Sequence, residues 1–351
     1  MPGHVPASGG GPPSVDYRAT CVRPRWEELP AGVRQAVADA AGSPVVAADD
    51  PPGSGFTGGF AAVVRLRDGR RVFAKAGSSR NPHLVAAYRQ EARVLATLPV
   101  GVPAPRLVGS AGVEPGDVDE HAWQVVVAEA VDGSIPQPWT EAAVESVHEA
   151  CGVSAGLLAA PLPGLELSST ADALAGSPAV AGCYAAIADG SLPLTAGQPG
   201  WVRAHLDDLT ALTARAGHAL AGDVAVHGDL RADNVLVDGA GRAVVVDWNW
   251  MSRGPAWTDF VGVLPPARAD GVDVDTWMRR SGLTAEVDPD DVDTLLALVA
   301  AYMLASADTP VWPGGPAAVR VHQRRFAWTF LDWLGARRGW DGRRPVRSTP
   351  N

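Results

Sequence analysis

The chain has 351 residues, 46% of them hydrophobic, with 30 prolines and 39 glycines, which suits two lobes or small domains broken into short elements. Its net charge of −10 argues against nucleic acid or an anionic membrane as the main partner; it serves solubility and mildly favours cationic ligands. Cys21, Cys151 and Cys183 show neither metal nor disulfide spacing, residues 1–14 lack the apolar core of a signal peptide, and the longest uncharged apolar run, residues 295–307, is too short to cross a bilayer, so a cytoplasmic protein is expected.

Residues 1–20 read as a disordered tail. Residues 26–41 have helical spacing, with Leu29, Val33 and Val37 on one face. Residues 60–66 and 71–76 read as short strands joined by Arg67-Asp68-Gly69-Arg70, a hairpin with an Asp-Gly turn. A helix follows over 81–98, ended by Pro103 and Pro105, then a strand at 106–109 and a clear apolar strand at 123–130, closed by Asp132-Gly133. Beyond it the pattern changes. Residues 141–160, 170–188 and 202–221 look helical, two short strands at 224–226 and 243–246 flank a polar stretch, and helices return at 288–307 and 317–337. Strands first and helices later predict an α+β protein. Its boundary falls near residues 132–138, between an N-terminal lobe with a leading helix (21–132) and a mostly helical C-terminal lobe (133–351).

Lysine occurs once, at Lys75, and arginine supplies every other basic side chain. A chain that uses arginine wherever either will do marks its one lysine as a site for a compact ammonium. The surroundings support this. Gly53-Ser54-Gly55-Phe56-Thr57-Gly58 matches G-x-G-x-x-G, a weak signal alone. A dinucleotide site needs a helix directly after the glycines; here a strand and a hairpin follow. A glycine loop between two strands folds over nucleotide phosphates instead, with Gly53, Ser54, Gly55, Phe56 and Gly58 approaching them through the backbone. Lys75 lies on the strand after the hairpin, and Glu91 on the next helix, the arrangement of a lysine on the α/β-phosphates held by a glutamate.

The strongest segment is residues 226–236, where Asp229 and Asn234 stand five apart between two strands; Asp247 follows at the end of an apolar strand. Phosphoryl transfer needs a carboxylate to orient and deprotonate the attacking hydroxyl, and two oxygen ligands for Mg²⁺. Asp229 fits the first role, Asn234 and Asp247 the second, and Asp233 reads as a turn residue.

His227-Gly228-Asp229 followed by Asn234 resembles the catalytic loop of the aminoglycoside and choline kinase-like phosphotransferases, over about residues 45–260. The resemblance implies a two-lobed protein-kinase-like fold, with a small antiparallel-sheet N-lobe and a larger helical C-lobe. It implies ATP or GTP as donor, Mg²⁺ as cofactor, Asp259 as a structural brace for the loop begun by His227, and a hinge at Glu129-Ala130-Val131 whose backbone at Glu129 and Val131 receives the base. Arg231 stands where many relatives have His or Lys: it either steadies the γ-phosphate or forms a salt bridge within the loop.

The short gap between Asp247 and Asp259 leaves no room for a regulated activation segment, which argues against a protein kinase. The long stretch between hinge and catalytic loop would place helices beside the acceptor. The expected activity is O-phosphorylation of a small molecule, an aminoglycoside-like or other antibiotic, in resistance or self-protection. The alternatives are a metabolic sugar, amino alcohol or nucleoside kinase and, in another class, a non-catalytic nucleotide-binding scaffold. Asp270, Asp273, Asp275, Glu286, Asp288, Asp290, Asp291 and Asp293 make the late region acidic, which would suit a cationic acceptor, although Asp288, Asp290 and Asp291 also read as a helix cap. Trp248 and Trp250 either stack on the acceptor or pack in the core. His83, His121, His148, His205, His218 and His322 receive no role. Neither nucleic acid nor membrane is expected as a partner, and monomer and homodimer stay open.

Overall fold

The computed structural model describes residues 14–116, 119–312 and 315–342. In the N-terminal lobe, helix α1 (Ala31–Ala41) starts after Pro30 and ends at Gly42, whose φ of 70° gives the left-handed stop. Strands β1 (Val45–Ala48), β2 (Phe60–Leu66) and β3 (Arg71–Ser78), helix α2 (Pro82–Thr97), and strands β4 (Leu107–Val113) and β5 (Trp123–Glu129) complete it. The five strands form an antiparallel sheet in the order β1-β2-β3-β5-β4. Leu29, Val33, Val37 and Ala41 lie on one side of the leading helix and its approach. They pack on Ala62, Val64, Leu66, Val72, Ala74 and Val127, which alternate along three strands. On the other face α2, capped by the Asn81 side chain, sets Leu84, Tyr88 and Ala92 against Val126.

The C-terminal lobe runs through β6 (Gly133–Ser134), α3 (Glu141–Leu157), α4 (Thr170–Ala175), α5 (Pro178–Ala181), α6 (Cys183–Ala188), α7 (Leu206–Thr213) and α8 (Ala216–Ala219). Four short strands follow, β7 (Val224–Val226), β8 (Val235–Asp238), β9 (Ala243–Val245) and β10 (Ser252–Gly254), and then α9 (Thr258–Ala269), α10 (Val274–Arg280), α11 (Pro289–Ala307) and α12 (Ala318–Arg338). Strand β7 pairs with β10, and β8 with β6 and β9, so the polar stretch between β7 and β8 is held at both ends by ladders. Helix α11 is buried on nearly every side, as its apolar composition requires, and it packs along α12.

Several expectations change. Residues 14–20 are no disordered tail: Val15 and Tyr17 are buried against the C-terminal core, and Tyr17 Oη hydrogen-bonds His322 Nδ1 at 2.7 Å. Residues 1–13 of that expected tail lie outside the described residues. The helix expected over 170–188 breaks into three at Ser177-Pro178 and Gly182, because Pro starts helices and interrupts them. The 202–221 helix likewise divides into a 3₁₀ turn, α7 and α8. Helix α9 was not anticipated, since Pro265 and Pro266 lie inside it. Among the described residues no helix is long and apolar enough to cross a membrane.

Candidate active site

Strand alternation decides where Lys75 points. Ala74 and Ala76 are buried with α1, so Lys75 faces the opposite side, toward α2. There Nζ donates to both Glu91 oxygens at 2.8 and 2.9 Å and to Asp247 Oδ1 at 2.6 Å. The Lys75 and Glu91 side chains are only 12% and 5% exposed. Burial acts against charge on Lys75, but the carboxylates of Asp247 and Glu91 outweigh it and hold the ammonium above its usual range. Burial pushes the Glu91 carboxyl up, against the pull of Lys75. At Asp247 burial is overcome by the Lys75 charge and hydrogen bond, so that carboxyl stays below its usual range.

Asp247 is the one non-glycine residue at positive φ, 69°, among the described residues. Such a conformation costs on the order of 1–3 kcal/mol and persists where surrounding contacts enforce it. Here the Lys75 pair and the buried Trp248, which hydrogen-bonds Val245 O at 2.8 Å, hold the turn. Trp248 is therefore core, not an acceptor platform.

The loop after β7 is braced from below. Asp259, on the first turn of α9, accepts from His227 N at 2.7 Å and from Gly228 N at 2.9 Å. A Cβ at Gly228, whose φ is 79°, would meet the Trp250 carbonyl oxygen at 2.5 Å, so no other residue fits this crossing. His227 Nε2 donates to Val246 O at 3.0 Å, while Nδ1 accepts from Asp229 N at 3.2 Å. These partners assign the imidazole its neutral tautomer, and burial lowers its pKa in agreement. Thus His227 and Asp259 together fix the backbone that presents Asp229.

Arg231 forms a salt bridge within the loop. Nη1 reaches both Asp229 oxygens at 2.8 and 2.7 Å, while Nε and Nη2 reach Asp233 at 3.0 and 3.1 Å. Asp233 is thus a buried ion-pair partner as well as a turn residue. Asn234 Nδ2 donates to Asp229 O at 2.7 Å and to Oδ2 at 3.2 Å, which leaves its amide oxygen as the atom available to a cation. Burial pushes the Asp229 carboxyl up to about 7, against the Arg231 charge.

Among the described residues no cluster of three or more His, Cys, Asp or Glu could hold a metal alone. The donor set instead suits Mg²⁺ carried with phosphates, which needs only one or two protein oxygens: Asn234 supplies an amide oxygen and Asp247 the oxygen not used by Lys75. Asn249 adds an orphaned buried Oδ1 beside them, its Nδ2 lying 3.5 Å from Asp247 Oδ1.

The glycine-rich turn links β1 to β2, and Gly55 has a φ of 88°. Sequence reasoning missed what holds it. Arg23 Nη1 donates to Thr57 O at 2.9 Å and to Gly59 O at 2.8 Å, and Nη2 to Ser54 O at 2.7 Å. Thr20 Oγ1 donates to Gly55 O at 2.6 Å, and Gly53 bridges to Ala19. With these carbonyls taken up by the N-terminal segment, the loop's N–H groups are the ones left to face an anion. Gly58 is exposed, and Phe56 turns toward the C-terminal lobe rather than over the lysine. At the hinge, Glu129 N donates to Arg106 O at 2.9 Å and the Glu129 side chain pairs with Arg106; Val131 lies between β5 and β6, outside both ladders.

Asp229 and Arg231 open onto a cavity of about 370 Å³ between α4, α9, α11 and α12. Phe56 closes one side of it and Trp250, 54% exposed, another. The late acidic residues do not line this cavity. Asp273 and Asp288 cap α10 and α11, Asp290, Asp291 and Asp293 pair with Arg338, Arg215 and Arg337, and Asp270 accepts from Trp139 N. These six carboxylates are engaged within the fold. His322, left unassigned, lines the cavity; only its spacing to Phe326 and Phe330 hinted at a shared helix face.

A family profile described as phosphotransferase enzyme family matches residues 53–288. No curated protein sequence matches the chain significantly. Among solved structures the chain is similar to a thermostable mutant of aminoglycoside phosphotransferase APH(4)-Ia in a ternary complex with AMP-PNP and hygromycin B. The identity is 15%, with 87% of this chain and 98% of that one covered at a TM-score of 0.56. It is also similar to choline kinase LicA from Streptococcus pneumoniae, at 11% identity, 86% and 98% coverage and a TM-score of 0.52. These likenesses show the protein-kinase-like fold, and with the profile spanning the glycine loop, the lysine and the catalytic loop, the chain belongs to the phosphotransferase enzyme family.

Proposed function

We propose that this protein transfers the γ-phosphoryl group of ATP or GTP to a hydroxyl of a small molecule, an antibiotic or similar natural product, in resistance or self-protection. One observation carries the reading: Lys75 joins Glu91 and Asp247 in one cluster, while Asp229 opens onto the neighbouring cavity. That arrangement supports a nucleotide side at Lys75 and an acceptor side at the cavity. The complexes with AMP-PNP and hygromycin B seen for APH(4)-Ia support the same division.

Lys75, positioned by Glu91, would bind α- and β-phosphate oxygens, and the N–H groups of the loop held by Arg23 would orient the phosphates above it. Asn234 and Asp247 would hold Mg²⁺, which when bound neutralises charge on the phosphate oxygens. Asp229 would accept the hydroxyl proton as the acceptor oxygen attacks the γ-phosphorus. The bond from that phosphorus to the β-phosphate oxygen then breaks, and the nucleoside diphosphate leaves. Arg231 would hold Asp229 in line for this transfer. Glu129 and Val131 would receive the base at the hinge.

The test is transfer of label from γ-labelled ATP or GTP to an antibiotic panel by the purified chain with Mg²⁺. Asp229→Ala should lower kcat about a thousandfold while AMP-PNP affinity stays within a few-fold. Equal rates in wild type and variant would remove Asp229 from the reaction.

A further inference from the structure

His322, on α12, lines the cavity beside Asp229 and is only 3% exposed. Its ring packs against Phe56 and Phe326 with centroids at 4.7 and 4.9 Å, and Nδ1 lies 2.7 Å from Tyr17 Oη. Either atom of that pair could carry the shared proton. Burial, with the carboxylates of Asp233 and Asp229, pushes the Tyr17 hydroxyl above its ordinary range, so the phenol keeps its proton. Tyr17 is buried, and its Oη has no other partner among the described residues. Were Nδ1 the donor, the phenol proton would be buried with no acceptor, at the full penalty of an unpaired polar group. Tyr17 Oη therefore donates and Nδ1 accepts. Burial, then the Arg231 charge, holds the imidazole well below its ordinary pKa and hence neutral. A neutral imidazole that accepts at Nδ1 carries its proton on Nε2.

That Nε2–H has no hydrogen-bond partner among the described residues. Trp201 Nε1 is likewise unpartnered but sealed in the protein, whereas His322 Nε2 keeps access to open space. Since His322 belongs to the lining, the cavity is the space it meets. Neighbouring polar groups are already engaged. Thr170 and Ser252 bond each other, Gln323 bonds Arg320 and Ser306, and Arg231 spends its N–H groups on Asp229 and Asp233. An unspent donor of fixed direction, in a cavity of about 370 Å³, is the kind of group that orients a small molecule. It selects a lone pair: the oxygen of a hydroxyl, an ether or a carbonyl. This selection concerns the one atom set against His322 and is the same for a neutral and a cationic molecule.

We infer that His322 donates from Nε2 to an oxygen of the acceptor, and that Tyr17 is the positioning residue that fixes the tautomer. The segment before the glycine-rich loop thus takes part in acceptor binding through one hydrogen bond. That the bound molecule is the acceptor rests on the transferase reading; the donor's direction stands on the hydrogen bonds and the lining alone.

The first measurement uses the full chain labelled with nitrogen-15 in histidine, at neutral pH, with the His322 signals assigned by their loss in His322→Gln. Nε2 is expected to be protonated and Nδ1 bare, and Tyr17→Phe should shift both signals toward a mixture of tautomers. Titration with 1-tetralone, which carries one carbonyl oxygen, should move the Nε2–H signal saturably, while tetralin, the same ring system without that oxygen, should not. The second measurement is transfer kinetics with whichever member of the antibiotic panel is phosphorylated. His322→Asn keeps an amide near the place of Nδ1 and removes the donor at Nε2, so the KM for that acceptor should rise about three- to tenfold, with kcat and nucleotide KM little changed. His322→Gln, which returns an N–H near the place of Nε2, should recover most of the loss. A proton found on Nδ1, a tautomer indifferent to Tyr17→Phe, or an Nε2–H signal that answers to tetralin and 1-tetralone alike overturns the inference. Transfer with an acceptor KM unmoved in His322→Asn overturns it too and leaves the transferase reading intact. The expected tautomer and 1-tetralone response with no transfer to any panel member would remove the transferase reading and leave the donor standing.

Discussion

The Phe56 ring lies 4.7 Å, centroid to centroid, from the His322 imidazole, so the tip of the glycine-rich loop touches helix α12 of the other lobe. The same ring lies 5.5 Å from the Arg231 guanidinium and meets Tyr17 edge-on. One side chain thus joins the glycine-rich loop, the loop that carries Asp229, and the wall of the neighbouring cavity.

Phe56→Ala is expected to raise KM for nucleotide and for acceptor together, each by about three- to tenfold, because the loop loses its contact with the C-terminal lobe and the cavity loses one side. Phe56 is only half-buried, so the thermal midpoint should move little. Steady-state kinetics with both substrates varied checks this; a change in only one KM would separate the two roles.

Arg23 donates three hydrogen bonds to loop carbonyls. Bonds from a charged donor contribute about 1.5–3 kcal/mol each in favourable settings. Arg23→Ala should therefore weaken AMP-PNP binding by about tenfold or more through loosening of the loop. Arg23→Lys should recover little, since an ammonium cannot span the carbonyls of Ser54, Thr57 and Gly59 as the guanidinium fork does. Calorimetric titration of both variants decides it, and unchanged affinity would show the loop to be held by Thr20 and Gly53 alone.

Lys75→Arg keeps the charge and changes the shape. Nζ sits within 2.9 Å of oxygens from both Glu91 and Asp247, and a planar fork does not fit that meeting point. Transfer is expected to fall by about a hundredfold or more, measured as label transferred from γ-labelled nucleotide to a working acceptor. A variant that retains most of its rate would show that charge alone suffices at position 75.

His322 is buried, and burial together with the Arg231 charge holds its pKa well below the ordinary value. In the unfolded chain the imidazole titrates near about 6.5. Below that pH the unfolded state takes up a proton that the native state refuses, so this group's stabilising effect is present above about pH 6.5 and is lost as pH falls. The slope from this one site approaches about 1.4 kcal/mol per pH unit. Urea midpoints at pH 5, 6 and 7 should fall less steeply in His322→Asn than in the wild type; parallel curves would assign the acid sensitivity elsewhere.

The β2–β3 hairpin, α2 and α11 were legible because each is written in a local period: alternation around an Asp-Gly turn, an Asn81 cap before a helical face, an apolar run behind Asp288. The helices broken at Ser177-Pro178 and Gly182 and the proline-bearing α9 were not, because tertiary packing overrode the local signals there. Strands β6 and β10, at two and three residues, are too short to carry a period at all.

By itself, the sequence determined the candidate reacting groups. Lys75, Glu91, Asp229, Asn234 and Asp247 are recognisable because phosphoryl transfer requires these side chains at set distances from strand and helix ends, and backbone geometry makes such distances countable along the chain. Tertiary structure alone decided what surrounds them. Arg23 reaches the glycine loop across 36 positions, Tyr17 reaches His322 across 305, and Asp290, Asp291 and Asp293 are drawn onto arginines instead of the cavity. Long-range packing sets those pairings, and no local periodicity records which distant side chain will fill a given space.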